Sequence, residues 1–395
     1  MTPVSDMGNT IVQILRDRRF WLGPAPQVIL LLAAVNSVVL SRKSIWAEEK
    51  RANLTTGDVA AYGQARRCDH TWGEDLLSTW DTIPDATQQP LAILCGMSQM
   101  MTINDRQPGD QQTSEELDDR LSARGIRVHG LAAPNLCNEE GLFLLVSLLA
   151  QPQTTPRSFV FGACFDKFRN IDLRPGYQKF FAAKPRVAAA WKQTAEEYRE
   201  RYPLAADKML KTLRDLHRTD EPDRPASDGW ESELRDLVSV GVPLVAERKA
   251  LNGKMQNELY EIRNQLLRIK NTSKRPIIRA RYDMNREFFE LMIDVSRKAG
   301  VRFITYVIPL NPQADNPYVP QEYTDFKIWL EQLTAAQRVP FANLENLVPA
   351  EEWGLWKGGP DFKHFKGAGH RLVAAKLVDE FGPLLGSSAE TEAGQ

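Results

Sequence analysis

From about residue 90 onward, short apolar runs that end in Gly or Pro alternate with longer stretches whose apolar positions recur every three or four residues. PLAILCGMSQMM (90–101) carries no polar face and is bracketed by Pro and Gly, which reads as a buried strand entering a turn. Residues 114–124 fit a helix, and GIRVHGL (125–131) a second strand followed by the small-residue loop AAPN. Glu139 to Gln151 fits an apolar helix, and RSFVFGAC (157–164) a third strand that again runs into a polar turn. Three strand–turn–helix units in succession predict a parallel sheet covered by helices.

The pattern then changes. Residues 175–275 are charged and mostly helical in periodicity, with a break at TDEPDRPASDG (219–229). Leu251, Met255, Leu259, Ile262, Leu266 and Ile269 form one apolar stripe, which suits either a packed helix or a short coiled coil. Trp191, Tyr198, Tyr202 and Trp230 suit helix packing, and also stacking on sugar faces. We read this stretch as a helical insertion, a candidate cap over a site on the main domain. Alternation resumes with an amphipathic helix at 283–299, a β-branched strand VRFITYVIPL (301–310), a helix from Tyr323 to Gln337 and a short strand at 339–347. A final helix is expected from Lys366 to Phe381, before a polar tail.

Upstream lies a different kind of segment. LGPAPQVILLLAAVNSVVL (22–40) has no charge in nineteen residues, about the length that spans a bilayer. Arg16, Arg18 and Arg19 precede it, as expected for an anchor with a cytoplasmic N-terminus, and Arg42 and Lys43 follow it. A buried core helix or a cleaved signal peptide has the same apolar length, but no A-x-A site follows promptly. The expected organisation is therefore a cytoplasmic terminus (1–21), a membrane anchor (22–40), a stalk and first helix (41–87), a first part of the main domain (88–174), the insertion (175–275), a second part (276–385) and a tail (386–395).

Composition narrows the classes. Fifty basic against fifty-one acidic residues leave a net charge of -1, which gives no electrostatic footprint for nucleic acid. Cys68, Cys95, Cys137 and Cys164 are widely spaced with no C-x-x-C pair, so neither a zinc site nor a redox motif is indicated. Cys95 and Cys164 read as core residues, while a Cys68–Cys137 bridge is open in an oxidising compartment. Neither G-x-G-x-x-G nor a P-loop occurs at a strand end, no carboxylate pair stands out, and no cofactor or metal is implied.

Candidate chemistry lies at two places. Ser98 stands two residues past Gly96 at the end of the first strand, where a sharp strand-to-helix turn exposes a hydroxyl. Taken alone, the position also suits a helix N-cap. Asp361 and His364 lie in GGPDFKHFKGAGHRL (358–372), a loop expected just before the last helix. A D-x-x-H pair lets the carboxylate fix one imidazole nitrogen while the other faces a serine.

Chain order Ser…Asp-x-x-His, with DFKHFKGAGHRLVAAKL before the C-terminal helix, resembles the SGNH/GDSL hydrolase superfamily over about 88–172 and 277–382. The resemblance implies a three-layer, flavodoxin-like α/β fold with a parallel sheet flanked by helices, carrying here a helical insertion and an N-terminal transmembrane helix. It implies Ser98 as nucleophile, His364 as general base and Asp361 as its orienting acid, with His370 structural. His70, His129 and His217 have no such context. For the oxyanion hole it points to Gly130, Cys164 and Asp166. The chain departs from the family in having Gly96-Met97-Ser98 for Gly-Asp-Ser, and GACFD (162–166) where an asparagine is expected. An anchor, an irregular third block and a large insert together resemble D-alanyl transfer and alginate-type O-acetylation proteins. That likeness implies an acylated glycan substrate, a membrane-bound O-acyltransferase partner and a single-pass protein with its globular domain outside the cytoplasm. A degenerate scaffold that binds a membrane partner or glycan is the alternative.

Overall fold

A computed structural model describes residues 80, 82–133, 135–219, 274–356 and 359–387. The segment 22–40, the apolar stripe 251–269, Cys68, His70, Trp230 and most of the stalk and first helix expected at 41–87 lie outside them.

Five strands form one parallel sheet: β1 (Leu91–Met97), β2 (Arg127–Ala133), β3 (Ser158–Ala163), β4 (Arg302–Val307) and β5 (Phe341–Asn343), in the order β2-β1-β3-β4-β5. Alternation along each strand divides the core in two. Leu91, Ile93 and Cys95 of β1, with Phe159 and Phe161 of β3, point into one cluster. Ala92, Leu94 and Met97, with Val160, point into the other. A strand buried on both faces must be apolar at every position, which is why these runs show no period of two.

Helices α2 (Thr113–Ser122) and α9 (Gly367–Leu385) cover one face, supplying Leu117, Leu121, Val373 and Leu377. Helices α3 (Asn138–Leu149), α7 (Arg279–Lys298) and α8 (Pro320–Gln337) cover the other. Both α2 and α3 begin with a capping box, Gln112 with Glu115 and Cys137 with Glu140, which satisfies amides that the first turn leaves open. The three-layer arrangement agrees with the expectation from sequence.

The described part of the insertion forms α4 (Pro175–Ala183), α5 (Pro185–Glu197) and α6 (Pro203–Thr219). These helices pack on α3 and α7 and extend the core on that face. Phe143 of α3 stacks on Tyr177 at 5.0 Å and meets Trp191 edge-on at 5.9 Å. Trp191 is fully buried, with its indole N–H on the Met209 carbonyl, and buried Tyr202 donates to Asp294 at 2.7 Å. Burying a large aromatic side chain stabilises by about 1.5–3 kcal/mol, so these rings hold the helical layer to the domain. Trp191 and Tyr202 are thereby committed to packing.

The stretch before α9 is not the loop expected. It is an antiparallel pair, β6 (Trp353–Trp356) and β7 (Gly359–Phe365), with a register shift between Trp353 and Leu355. Trp353 packs across the pair on Phe365 at 5.5 Å.

Candidate active site

Parallel strands deliver their carboxyl ends to one rim of the sheet. β1 ends at Met97 and the chain turns at once into the four-residue helix α1 (Ser98–Met101). Gly96 permits that turn: a Cβ there would lie 1.8 Å from the Met100 sulfur. Gln99 then ties the turn across the rim by donating to the Pro309 carbonyl, just past β4, at 2.7 Å.

β7 brings the other two groups. The Ser98 hydroxyl lies 2.9 Å from His364 Nε2, and His364 Nδ1 lies 2.8 Å from Asp361 Oδ2. A carboxylate accepts, so Nδ1 carries the proton and Nε2 is left to accept from the serine. The acid is fully engaged. Its Oδ1 accepts from the main-chain N–H groups of Lys363 (3.0 Å) and His364 (3.2 Å), and Asn104 donates to Oδ2 at 3.3 Å. Burial works against charge on Asp361, yet the His364 hydrogen bond and charge, with the two amides, hold its carboxyl below the usual range. Asn311 fixes the acid from behind by donating to its main-chain carbonyl at 2.8 Å. Ser98 retains 9% exposure and Asp361 4%, so the acid is sealed while the hydroxyl sits at the edge of solvent.

His370 is separate from this relay. The Thr113 amide donates to its Nδ1 at 3.1 Å, which leaves Nε2–H to donate to the Thr102 carbonyl at 3.2 Å. It therefore clamps α9 to α2 and to the turn after α1. Burial pushes its imidazole down to about 3.

The expected oxyanion donors fare differently. Gly130 is not at the rim: it pairs with Leu94, four residues before Ser98, which is about 13 Å along a strand. β2 continues to Ala133, so the turn that could offer an amide starts later than the sequence suggested. Asp166 does lie at the rim, but its oxygens face Arg275 (3.4 Å) and Arg169 (3.7 Å) and accept from Tyr318 at 3.2 Å. A carboxylate held in that way accepts hydrogen bonds and does not donate them. Cys164 follows β3 directly, with its buried thiol 3.4 Å from the Tyr318 hydroxyl. Burial, then the Asp166 charge, push that thiol up, and a thiol is a weak donor in any case. Cys95 and Cys137 are likewise buried and free.

Sequence reasoning missed Asn104, Asn311 and Lys363. Asn104 and Asn311 are isolated polar residues outside any motif, and Lys363 fills an unspecified position within D-x-x-H. Asn104 stands 257 positions and Asn311 50 positions from the acid they hold, so no local spacing marks them.

No family model matches the chain, and no curated protein matches it. Among solved structures it is similar to a putative acylhydrolase from Bacteroides fragilis at 8% identity, covering 80% of this chain and 100% of that one with a TM-score of 0.35. It is similar to a lipase/acylhydrolase from Enterococcus faecalis at 14% identity, covering 75% and 97% with a TM-score of 0.34. It is also similar to a carbohydrate acetylesterase family member from Sinorhizobium meliloti at 10% identity, covering 75% and 99% with a TM-score of 0.33. At this level of likeness, the chemistry of the site rests on its own residues.

Proposed function

We propose that the chain is a divergent SGNH-type enzyme that cleaves or transfers O-acyl groups through an acyl-Ser98 intermediate. The observation that carries the reading is the relay of Ser98, His364 and Asp361, closed at 2.9 and 2.8 Å with the tautomer fixed. His364 takes the serine proton as Oγ attacks the ester carbonyl, then returns a proton to the departing alcohol. Water or a glycan hydroxyl then takes the acyl group from serine, so hydrolase and transferase share the first half of the cycle. From sequence alone, the reading extends to a cell-surface polysaccharide as substrate, an anchor at 22–40 and a membrane-bound O-acyltransferase as partner.

One observation favours a second reading, a degenerate scaffold that binds a glycan or membrane partner. It is the buried Cys164 where an amide donor is expected, because losing one oxyanion donor costs about 3 kcal/mol of transition-state stabilisation. Hydrolysis of p-nitrophenyl acetate by the full-length chain and by Ser98→Ala decides between them. Turnover lost in the variant, with fluorophosphonate labelling of Ser98, supports the enzyme. Equal background rates and no labelling of Ser98 sink it.

A further inference from the structure

Beside the relay stands a cation that the relay does not use. Lys363 stands between Asp361 and His364 on β7, and its ammonium donates to Asn135 Oδ1 at 3.3 Å. Asn135 follows β2 by two residues in the left-handed region (φ 53°), which turns the chain back over the rim. The last residue of β2, Ala133, is in register with Met97, the residue before Ser98. Towards β3, the same ammonium lies 5.5 Å from the Phe362 ring, which meets Tyr318, the partner of the Cys164 thiol just past β3, edge-on at 6.3 Å. The ammonium is thus tied to the residue past β2 and, through Phe362 and Tyr318, to the end of β3; β1 runs between those strands and leads into Ser98, whose hydroxyl meets His364, the neighbour of Lys363. Among the described residues it makes no ion pair with a carboxylate. Asp166, the nearest acid at the end of β3, is occupied by Arg275 and Arg169.

We infer that Lys363 is an oxyanion donor for the proposed acyl transfer, supplying from β7 the donor that Cys164 does not supply from β3. The inference rests on the acyl-serine reading. As Ser98 Oγ bonds to the carbonyl carbon, its proton passes to His364 Nε2 and the carbonyl π pair moves onto oxygen. The Lys363 ammonium meets that new negative charge with an N–H donor that stays on nitrogen. Collapse re-forms the carbonyl, breaks the bond to the alcohol and returns the His364 proton to the leaving oxygen. A full positive charge beside the oxyanion stabilises it more than the neutral ester that precedes it, which is the condition for raising kcat. Asn135, turned over the rim, holds the lysine head between substrates.

The test uses p-nitrophenyl acetate, a neutral ester with no acid for a lysine to recognise. Lys363→Met in the full-length chain should lower kcat by about 10²–10³ with KM little changed, the scale of losing one oxyanion donor. Lys363→Arg, which keeps a cationic donor, should recover part of it. The Lys363 side chain is half-buried and its contacts are the Asn135 amide and the Phe362 ring, so both variants should melt with the wild type. A Lys363→Met kcat within twofold of wild type, or a raised KM at unchanged kcat, overturns the inference while loss of turnover in Ser98→Ala leaves the acyl-serine reading standing. A wild type no faster than Ser98→Ala overturns both.

Discussion

Asn311 Nδ2 donates to the main-chain carbonyl of Asp361 at 2.8 Å, so the backbone that carries the acid is pinned independently of its charge. Replacing the carboxylate should therefore leave the strand in place and change only what His364 meets. Asp361→Asn should lower kcat on p-nitrophenyl acetate by about 10³–10⁴ with little change in KM, because an amide can favour the wrong imidazole tautomer. Steady-state kinetics check this. A fall below tenfold would mean that Asp361 does not orient the base.

The turn at Ser98 depends on the absence of a side chain at 96. A Cβ there meets Met100 Sδ at 1.8 Å and Cγ at 2.9 Å, inside a closed core. Gly96→Ala should cost about 1–3 kcal/mol of stability and reduce activity by displacing α1. In a Met100→Ala background the same change should cost clearly less, and a double-mutant cycle on chemical unfolding reads that coupling.

Lys167 is a fully buried lysine whose ammonium lies 3.6 Å from the centre of the Phe161 ring, with no hydrogen-bond partner among the described residues. Burial pushes it from 10.5 down to about 8. Between those values the unfolded chain binds the proton and the folded one does not, so stability rises with pH across that window. Below pH 8 the buried charge costs on the order of 3 kcal/mol. Lys167→Met should melt several degrees higher at pH 7, with the difference shrinking towards pH 10. A variant that melts lower at pH 7 would mean that the ring contact outweighs the burial cost.

His370 works at the acid end. Its imidazole is held neutral down to about 3 by burial, although the Thr102 carbonyl opposes the shift. The unfolded chain takes up this proton near 6.5, so the stability it confers is complete above that pH and is lost as pH falls. About 2 kcal/mol should go between pH 7 and pH 5. His129, pushed by burial to about 4, loses in the same direction, while Glu139, raised by burial to about 7, gains as pH falls. His370→Gln isolates the one contribution. Its urea midpoint should lie below that of wild type at pH 7 and draw closer to it at pH 5.

Much of this was legible because it is local. β1, β3 and β4 are apolar on both faces, and each stands out as a short run closed by Gly or Pro. The D-x-x-H pair is local too, since Asp361 accepts from the amides of Lys363 and His364 within three residues. What escaped depends on distant pairing. The resemblance points to Gly130 as an oxyanion donor, whereas pairing with β1 carries β2 past it to Ala133. The β6–β7 pair escaped because GLWKGGPDF has neither alternation nor a β-branched run, and its order comes from Trp353 on Phe365. Lys363 gave no signal, since a lysine beside a histidine is ordinary until Asn135 is brought under it.

The contact between Ser98 and His364 spans 266 positions of chain and joins the turn after β1 to the separate β6–β7 pair. During synthesis the serine emerges long before its base exists, so a nascent or prematurely ended chain carries an unarmed hydroxyl. The Ser98–His364 contact can form only once β7 docks, near the end of the chain. On the proposed reading, the order of the chain would thus act as a safety catch, keeping partial products from attacking esters before they have folded.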